Sequence, residues 1–311
     1  MGFLARMWPA STAVRWPLSR DQLMLLIAAV NEFFLAVDIY LAHSISGTIT
    51  RNEWIPIIFG PLAAGALLLA GLISLSRREP ATLVASLVLM GSIAVGLMGA
   101  YFHWVRAVLP TAPPGERVSV DLIVWAPPIL GPLTFSLVGL MGISAAWLES
   151  PPESGILRLV WGRRLRLPYS KTRAYGFMVG LGSLATVTSS VLDHARTHFT
   201  NPWMWIPTAV GLFATIAAVG LGLLDRPSRS DLWTYAGAMA AMIAVGLLGT
   251  YFHIAGNLTA QGTIVGERFV RGAPFLAPLL YANMGMLGFL ALLPPEEGAR
   301  AWVPALWKRG A

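Results

Sequence analysis

Apolar stretches of about 20 residues, each long enough to cross the hydrocarbon core of a bilayer, recur eight times along the chain. They lie at 23–42, 54–75, 81–104, 122–148, 174–192, 203–224, 232–253 and 273–293. No soluble fold hides that much apolar chain, and only 12% of the 311 residues are charged, against about 25% in a soluble domain. The expected fold class is an all-α integral membrane protein with eight transmembrane helices, and its first partner is the lipid bilayer.

The net charge of +7 does not point to nucleic acid, because the basic residues sit in short loops between apolar spans and form no stripe on a soluble face. They report topology instead. With the N-terminus inside, 16 Lys and Arg fall on the cytoplasmic side and 6 outside, which places both termini in the cytoplasm by the positive-inside rule. Residues 1–20 carry Arg6, Arg15 and Arg20 but no apolar core with a small-residue cleavage site, so the first span is expected to act as its own membrane address. The chain has no cysteine, which excludes disulfides, thiolate-held metals and thiol catalysis. The Arg-rich, Lys-poor composition points to a bacterial cytoplasmic membrane.

One long hydrophilic break, 149–173, opens with Pro151 and Pro152 and divides the chain in two. The expected organisation is a basic cytoplasmic tail 1–21, a four-helix repeat 22–148, a basic cytoplasmic linker 149–173, a second four-helix repeat 174–294 and a cytoplasmic tail 295–311. The halves repeat each other: residues 93–103, IAVGLMGAYFH, return at 243–253 as IAVGLLGTYFH, identical at 9 of 11 positions. Weaker echoes keep the same order, Trp54-Ile55-Pro56 with Trp205-Ile206-Pro207, Gly115-Glu116-Arg117 with Gly266-Glu267-Arg268, and Pro128/Pro132 with Pro274/Pro278. An even number of spans per unit makes these tandem parallel repeats, related by an axis along the membrane normal.

All five histidines fall at the outer ends of odd-numbered spans: His43, His103, His194, His198 and His253. In an up-down bundle the first and third helices are diagonal neighbours, so His43 can meet His103, and His198 can meet His253. Asp38 precedes His43 by five residues and Asp193 precedes His198 by five, while Glu116 and Glu267 occupy the following outer loops. Imidazole with carboxylate suits a transition-metal ion such as copper, iron or zinc, one per half or one shared at the pseudo-twofold axis. A five-residue step turns about 140° on a helix, so Asp38 and His43 share a face only if the helix end distorts. The alternative cofactor is a b-type haem held by diagonal histidines, with Arg117 or Arg268 facing its propionates. Either implies redox or metal handling by a membrane oxidoreductase, or by one subunit of a larger membrane or redox complex.

Glu32, beside Asn31 near the middle of the first span, is costly at that depth unless protonated or paired. It is the candidate proton-transfer residue, or else a neutral acid bonded to a Ser or Thr of a neighbouring helix. A cation- or proton-coupled permease with Glu32 on its path is the rival function, and a membrane scaffold without a site is the third. Gly96, Gly99, Gly246 and Gly249 are expected to let helices pack closely below the histidines. Pro132 and Pro278 are expected to kink their spans, and Asn257-Leu258-Thr259 matches a glycosylation acceptor. Two four-helix bundles with outward histidines resemble the general plan of haem A synthases and of quinol-linked membrane anchor subunits. The resemblance is one of architecture and assigns no residue.

Overall fold

A computed structural model describes residues 3–9, 18–45, 47–74, 77–259 and 266–295. Residues 1–2 and 10–17 of the expected N-terminal tail and 296–311 of the C-terminal tail lie outside them. The helices are α1 Phe3–Met7, α2 Arg20–Ser44, α3 Trp54–Ser74, α4 Arg78–Ala107, α5 Val120–Trp125, α6 Leu130–Ala146, α7 Lys171–Ala195, α8 Trp205–Leu223, α9 Arg229–Thr259, α10 Gly266–Arg271 and α11 Leu279–Leu292. Among the described residues the protein is all-α apart from one small sheet. Six helices among the described residues, α2, α3, α4, α7, α8 and α9, are long and apolar enough to cross a membrane, so helix length and hydropathy make this a multi-pass membrane protein. Their outward faces carry side chains such as Leu62, Leu87 and Ile216, all highly exposed, as hydrocarbon solvent requires.

Local chemistry sets the helix starts. Ser19 caps α2 by accepting from the Gln22 N–H while the Gln22 side chain accepts from the Ser19 N–H at 2.9 Å, which satisfies two of the otherwise orphaned amides. Ser170 caps α7 by accepting from the Arg173 N–H. Proline interrupts the fourth and eighth apolar stretches. The residue before proline is pushed out of the helical region, and the stretch 122–148 accordingly divides into α5 and α6 around Pro127 and Pro128. In the stretch 273–293 helix begins only at Leu279, after Pro278. Pro132 lies in the first turn of α6 and Pro278 at the N-cap of α11, where a missing N–H does no harm. Both therefore start helices, contrary to the expected kinks. The 17 residues of α6 and 14 of α11 reach about 25 and 21 Å, short of about 30 Å of hydrocarbon.

Each helix packs on the next and the ring closes: α2 on α3, α3 on α4, α4 on α6 and α6 on α2. The second group, α7, α8, α9 and α11, closes likewise, and the groups meet through α6–α7 and α2–α11. Close approach depends on glycine. A Cβ at Gly96 would meet the Ser136 N at 2.6 Å and the Pro132 O at 2.8 Å, and one at Gly246 would meet the Ala282 N at 2.5 Å and the Pro278 O at 2.9 Å. The break 149–173, read from sequence as a linker, contains an antiparallel three-stranded sheet of β1 Leu148–Glu149, β2 Ile156–Arg158 and β3 Arg164–Arg166. Strands of two or three residues are too short to leave a periodic trace in sequence.

Candidate functional site

His43 and His103 sit in the last turns of α2 and α4, with ring centroids 6.1 Å apart. The Nδ1 of His103 contacts the Pro128 carbonyl at 2.9 Å, and the Nδ1 of His253 contacts the Pro274 carbonyl at 2.9 Å. His43 does the same within its own helix, Nδ1 to the Ile39 carbonyl at 2.9 Å. A carbonyl can only accept, so in each ring it is Nδ1 that carries the hydrogen of this contact. The proline breaks thus have a local consequence: they place a carbonyl outside any helical ladder beside each of the two repeated histidines.

In the second half the histidine brought to His253 is His194. Both His43 and His194 are the second-last residues of 25-residue helices capped by serine. His198 lies beyond the end of α7, exposed and with φ of 52°. The signal was in the sequence: 151 positions separate Ser19 from Ser170 and Trp54 from Trp205, and the same step carries His43 to His194. The five-residue spacing from aspartate to histidine pointed to His198 instead. His253 lies near both His194 and Asp193. The His194 ring meets Phe199 edge-on at 6.0 Å, and Phe199 stacks on Trp205 at 4.3 Å.

The carboxylates distribute differently from expectation. Asp38 interacts electrostatically with Asp193 across the two halves, and Asp193 lies 3.9 Å from Arg196. Glu116 and Arg117 are exposed in their loop, where the Arg117 Nε donates to the Ala112 carbonyl at 3.1 Å. Glu267 pairs with Arg271 on α10, at 2.9 Å and largely exposed, and Arg268 lies on the same short helix. Near the first histidine pair stand two residues that sequence reasoning missed. Glu53 lies 3.9 Å from the His43 Nε2, and both Glu53 and Arg106 act electrostatically on His103. Glu53 is the only acid in the loop leaving His43's helix, which was its available signal. Among the described residues no three His, Asp or Glu side chains converge as a metal-ion group.

Glu32 is fully buried in the first helix group, where the Ser92 hydroxyl donates to its Oε1 at 2.5 Å, while its Oε2 has no partner among the described residues. Asn257 does not fit glycosylation: it is buried, its Nδ2 donates to the Ala273 carbonyl at 2.7 Å and its Oδ1 accepts from the Ala273 N–H at 2.8 Å.

At the opposite end lies a buried ionic network that positive-inside counting treated as surface charge. The Lys171 Nζ bonds the Asp21 Oδ2 at 2.5 Å and the Trp147 carbonyl at 2.8 Å, and the Arg20 Nη1 donates to the Thr172 Oγ1 at 2.7 Å. Tyr175 donates to the Asp21 Oδ1 at 3.2 Å beneath the Arg20 guanidinium. Glu149 accepts from the N–H groups of Lys171 at 2.9 Å and Gly155 at 2.7 Å. This ties α2 to α7. At the histidine end Arg196 donates to the carbonyls of Val124 at 2.7 Å and Ala126 at 3.1 Å, tying α5 to the segment after α7.

No family model matches the chain, and comparison with curated proteins and solved structures finds no match either.

Proposed function

We propose that the chain is an eight-span, N-in/C-in protein of the bacterial cytoplasmic membrane, built from two tandem parallel four-helix repeats. In this reading its outer end carries a b-type haem at each diagonal histidine pair, His43 with His103 and His194 with His253. The repeat is supported by the 9-of-11 identity at 93–103 and 243–253, and by α6 and α11 occupying matched places in their helix groups. With the proline-broken segments before them these supply the fourth and eighth spans, as discontinuous helices do where their irregular backbone is covered by protein.

The observation that carries the haem reading is the matched pair of Nδ1–H bonds from His103 and His253 to proline carbonyls. Such bonds hold an imidazole in one tautomer and orientation and raise the basicity of the other nitrogen. Donor number supports haem over a bare ion: among the described residues no three His, Asp or Glu side chains converge, and two histidines would suffice to hold a haem. The rings of His43 and His103, which would hold the group in the first half, stand 6.1 Å apart between centroids. When bound, haem would supply one-electron redox chemistry near the outer boundary, the role of a subunit in a larger redox complex. The permease reading requires the halves to rock, and the Lys171–Asp21 and Arg196 contacts at opposite ends oppose that.

The test is the absorption spectrum of the purified full-length protein after haemin reconstitution, with the pyridine adduct giving stoichiometry. A Soret band that is lost in the His103→Ala/His253→Ala double variant, with helicity retained by circular dichroism, is expected. Absence of haemin binding by the wild type overturns the reading, and stoichiometric metal without haem by elemental analysis would replace it with an ion site.

A further inference from the structure

The two helix groups differ in what lies beneath their histidine pairs. In the two-repeat register, contacts fix the equivalences: Gly60 faces Ala36 as Gly211 faces Val187, and Gly96 faces Ser136 as Gly246 faces Ala282. By that register Ile39 corresponds to Ser190, Ile57 to Thr208 and Phe135 to Tyr281. Three apolar side chains of the first half are hydroxyls in the second.

Ser190 and Thr208 lie on α7 and α8, which pack on each other, and Tyr281 lies on α11, which packs on α7. Tyr281 reaches across to α8, where a Cβ at Gly211 would stand 3.1 Å from its Cε1 and also against Val187 of α7. Thr208 lies on the same side of α8, one turn nearer the histidines. Ser190 lies one turn beyond Val187 on α7, close enough to interact with the Tyr281 phenol but not in hydrogen-bond geometry. Thr208 is 8% exposed and Tyr281 3%, yet neither the Thr208 Oγ1 nor the Tyr281 OH has a hydrogen-bond partner among the described residues. A buried hydroxyl left without a partner is costly, and native proteins meet that need with protein groups or bound water. Directly above, the His194 Nδ1 stands 3.4 Å from the Ser190 Oγ, whereas the other three paired histidines direct Nδ1 at backbone carbonyls. A hydroxyl both donates and accepts, so it passes a hydrogen-bond chain onward where a carbonyl ends it.

We propose that Ser190, Thr208 and Tyr281 form a binding site for internal water beneath His194, present in the second half and absent from the first. Each water there bridges the phenol, the threonine hydroxyl and the serine that contacts His194. The two histidine pairs are then unequal, with Ser190, Thr208 and Tyr281 in the second half where Ile39, Ile57 and Phe135 stand in the first. Surroundings of different polarity give chemically identical metal ligands different redox potentials. The proposal rests on the two-repeat reading and on His194 belonging to the site, but not on which cofactor the histidines hold.

Hydroxyl-radical footprinting by synchrotron radiolysis, read by mass spectrometry on the full-length protein in nanodiscs, tests it, because radicals formed from bound water label side chains that touch that water. Tyr235 is the dry control: it is 1% exposed and donates to the Gly288 carbonyl at 3.0 Å. Tyr281 is expected to label well above Tyr235, and the Thr208→Val/Ser190→Ala variant, which leaves both tyrosines in place, is expected to bring it down to the Tyr235 level. Labelling of Tyr281 no greater than that of Tyr235, or unchanged in the variant, overturns the water site. A labelled Tyr281 in protein that shows no Soret band leaves the water site standing and removes the haem reading alone.

Discussion

Asp21 is the shared counter-ion of two buried cations, and replacing it is expected to cost more than removing either cation. Its Oδ2 is 2.5 Å from the Lys171 Nζ and its Oδ1 is 3.6 Å from the Arg20 Nε, all within side chains at most 2% exposed. Removing one partner of a buried ion pair costs about 3–5 kcal/mol, because the other charge stays desolvated. Lys171→Met leaves Asp21 with Arg20 and the Tyr175 hydroxyl, so its cost belongs near the lower end, about 3 kcal/mol. Asp21→Asn leaves both Arg20 and Lys171 without that carboxylate and belongs near the upper end, about 5 kcal/mol. The double variant removes a cation together with the anion and is expected to be less destabilised than the sum of the singles by about 1–3 kcal/mol. Reversible unfolding in mixed micelles, followed by tryptophan fluorescence, measures all three. Glu267→Gln, which disrupts the exposed pair with Arg271, serves as control and is expected within about 0.5 kcal/mol of wild type. If both single variants fall within about 1 kcal/mol of wild type, the network is solvated, the ends of the two halves are not locked, and the argument against a rocking permease fails with it.

Two further outcomes follow from packing and burial. Gly96→Ala and Gly246→Ala drive a methyl into the backbone of α6 and of the α11 start, and each is expected to lose about 1–3 kcal/mol and to loosen its histidine site, whereas Gly65→Ala, with nothing within 4 Å of the added methyl, should match wild type in thermal unfolding. Glu32→Gln keeps an acceptor for the Ser92 hydroxyl and is expected to retain full cofactor content in the absorption spectrum; loss of cofactor would give Glu32 a direct part in the site.

The membrane class was legible from sequence because hydrocarbon demands long apolar runs, and six of the eight stretches became spanning-length helices. The close-packing glycines were legible for a related reason, since a missing side chain at a helical repeat marks where another backbone must pass. The two proline-broken stretches were not, because hydropathy registers apolar character and not the backbone dihedrals that proline denies to its neighbour. At the candidate site the repeated His103 and His253 were visible as letters, but their proline-carbonyl partners lie 25 and 21 residues away, beyond any local pattern. His194 was visible too, but only by counting from the helix caps.

Charge shows the division most sharply. Sequence alone determined how many cations this chain carries and between which apolar stretches they fall. Only the folded arrangement decided that Arg20 and Lys171 turn inward onto Asp21 while Arg117 stays at the surface, because whether a charge is solvated or paired depends on what residues about 150 positions away bring to it.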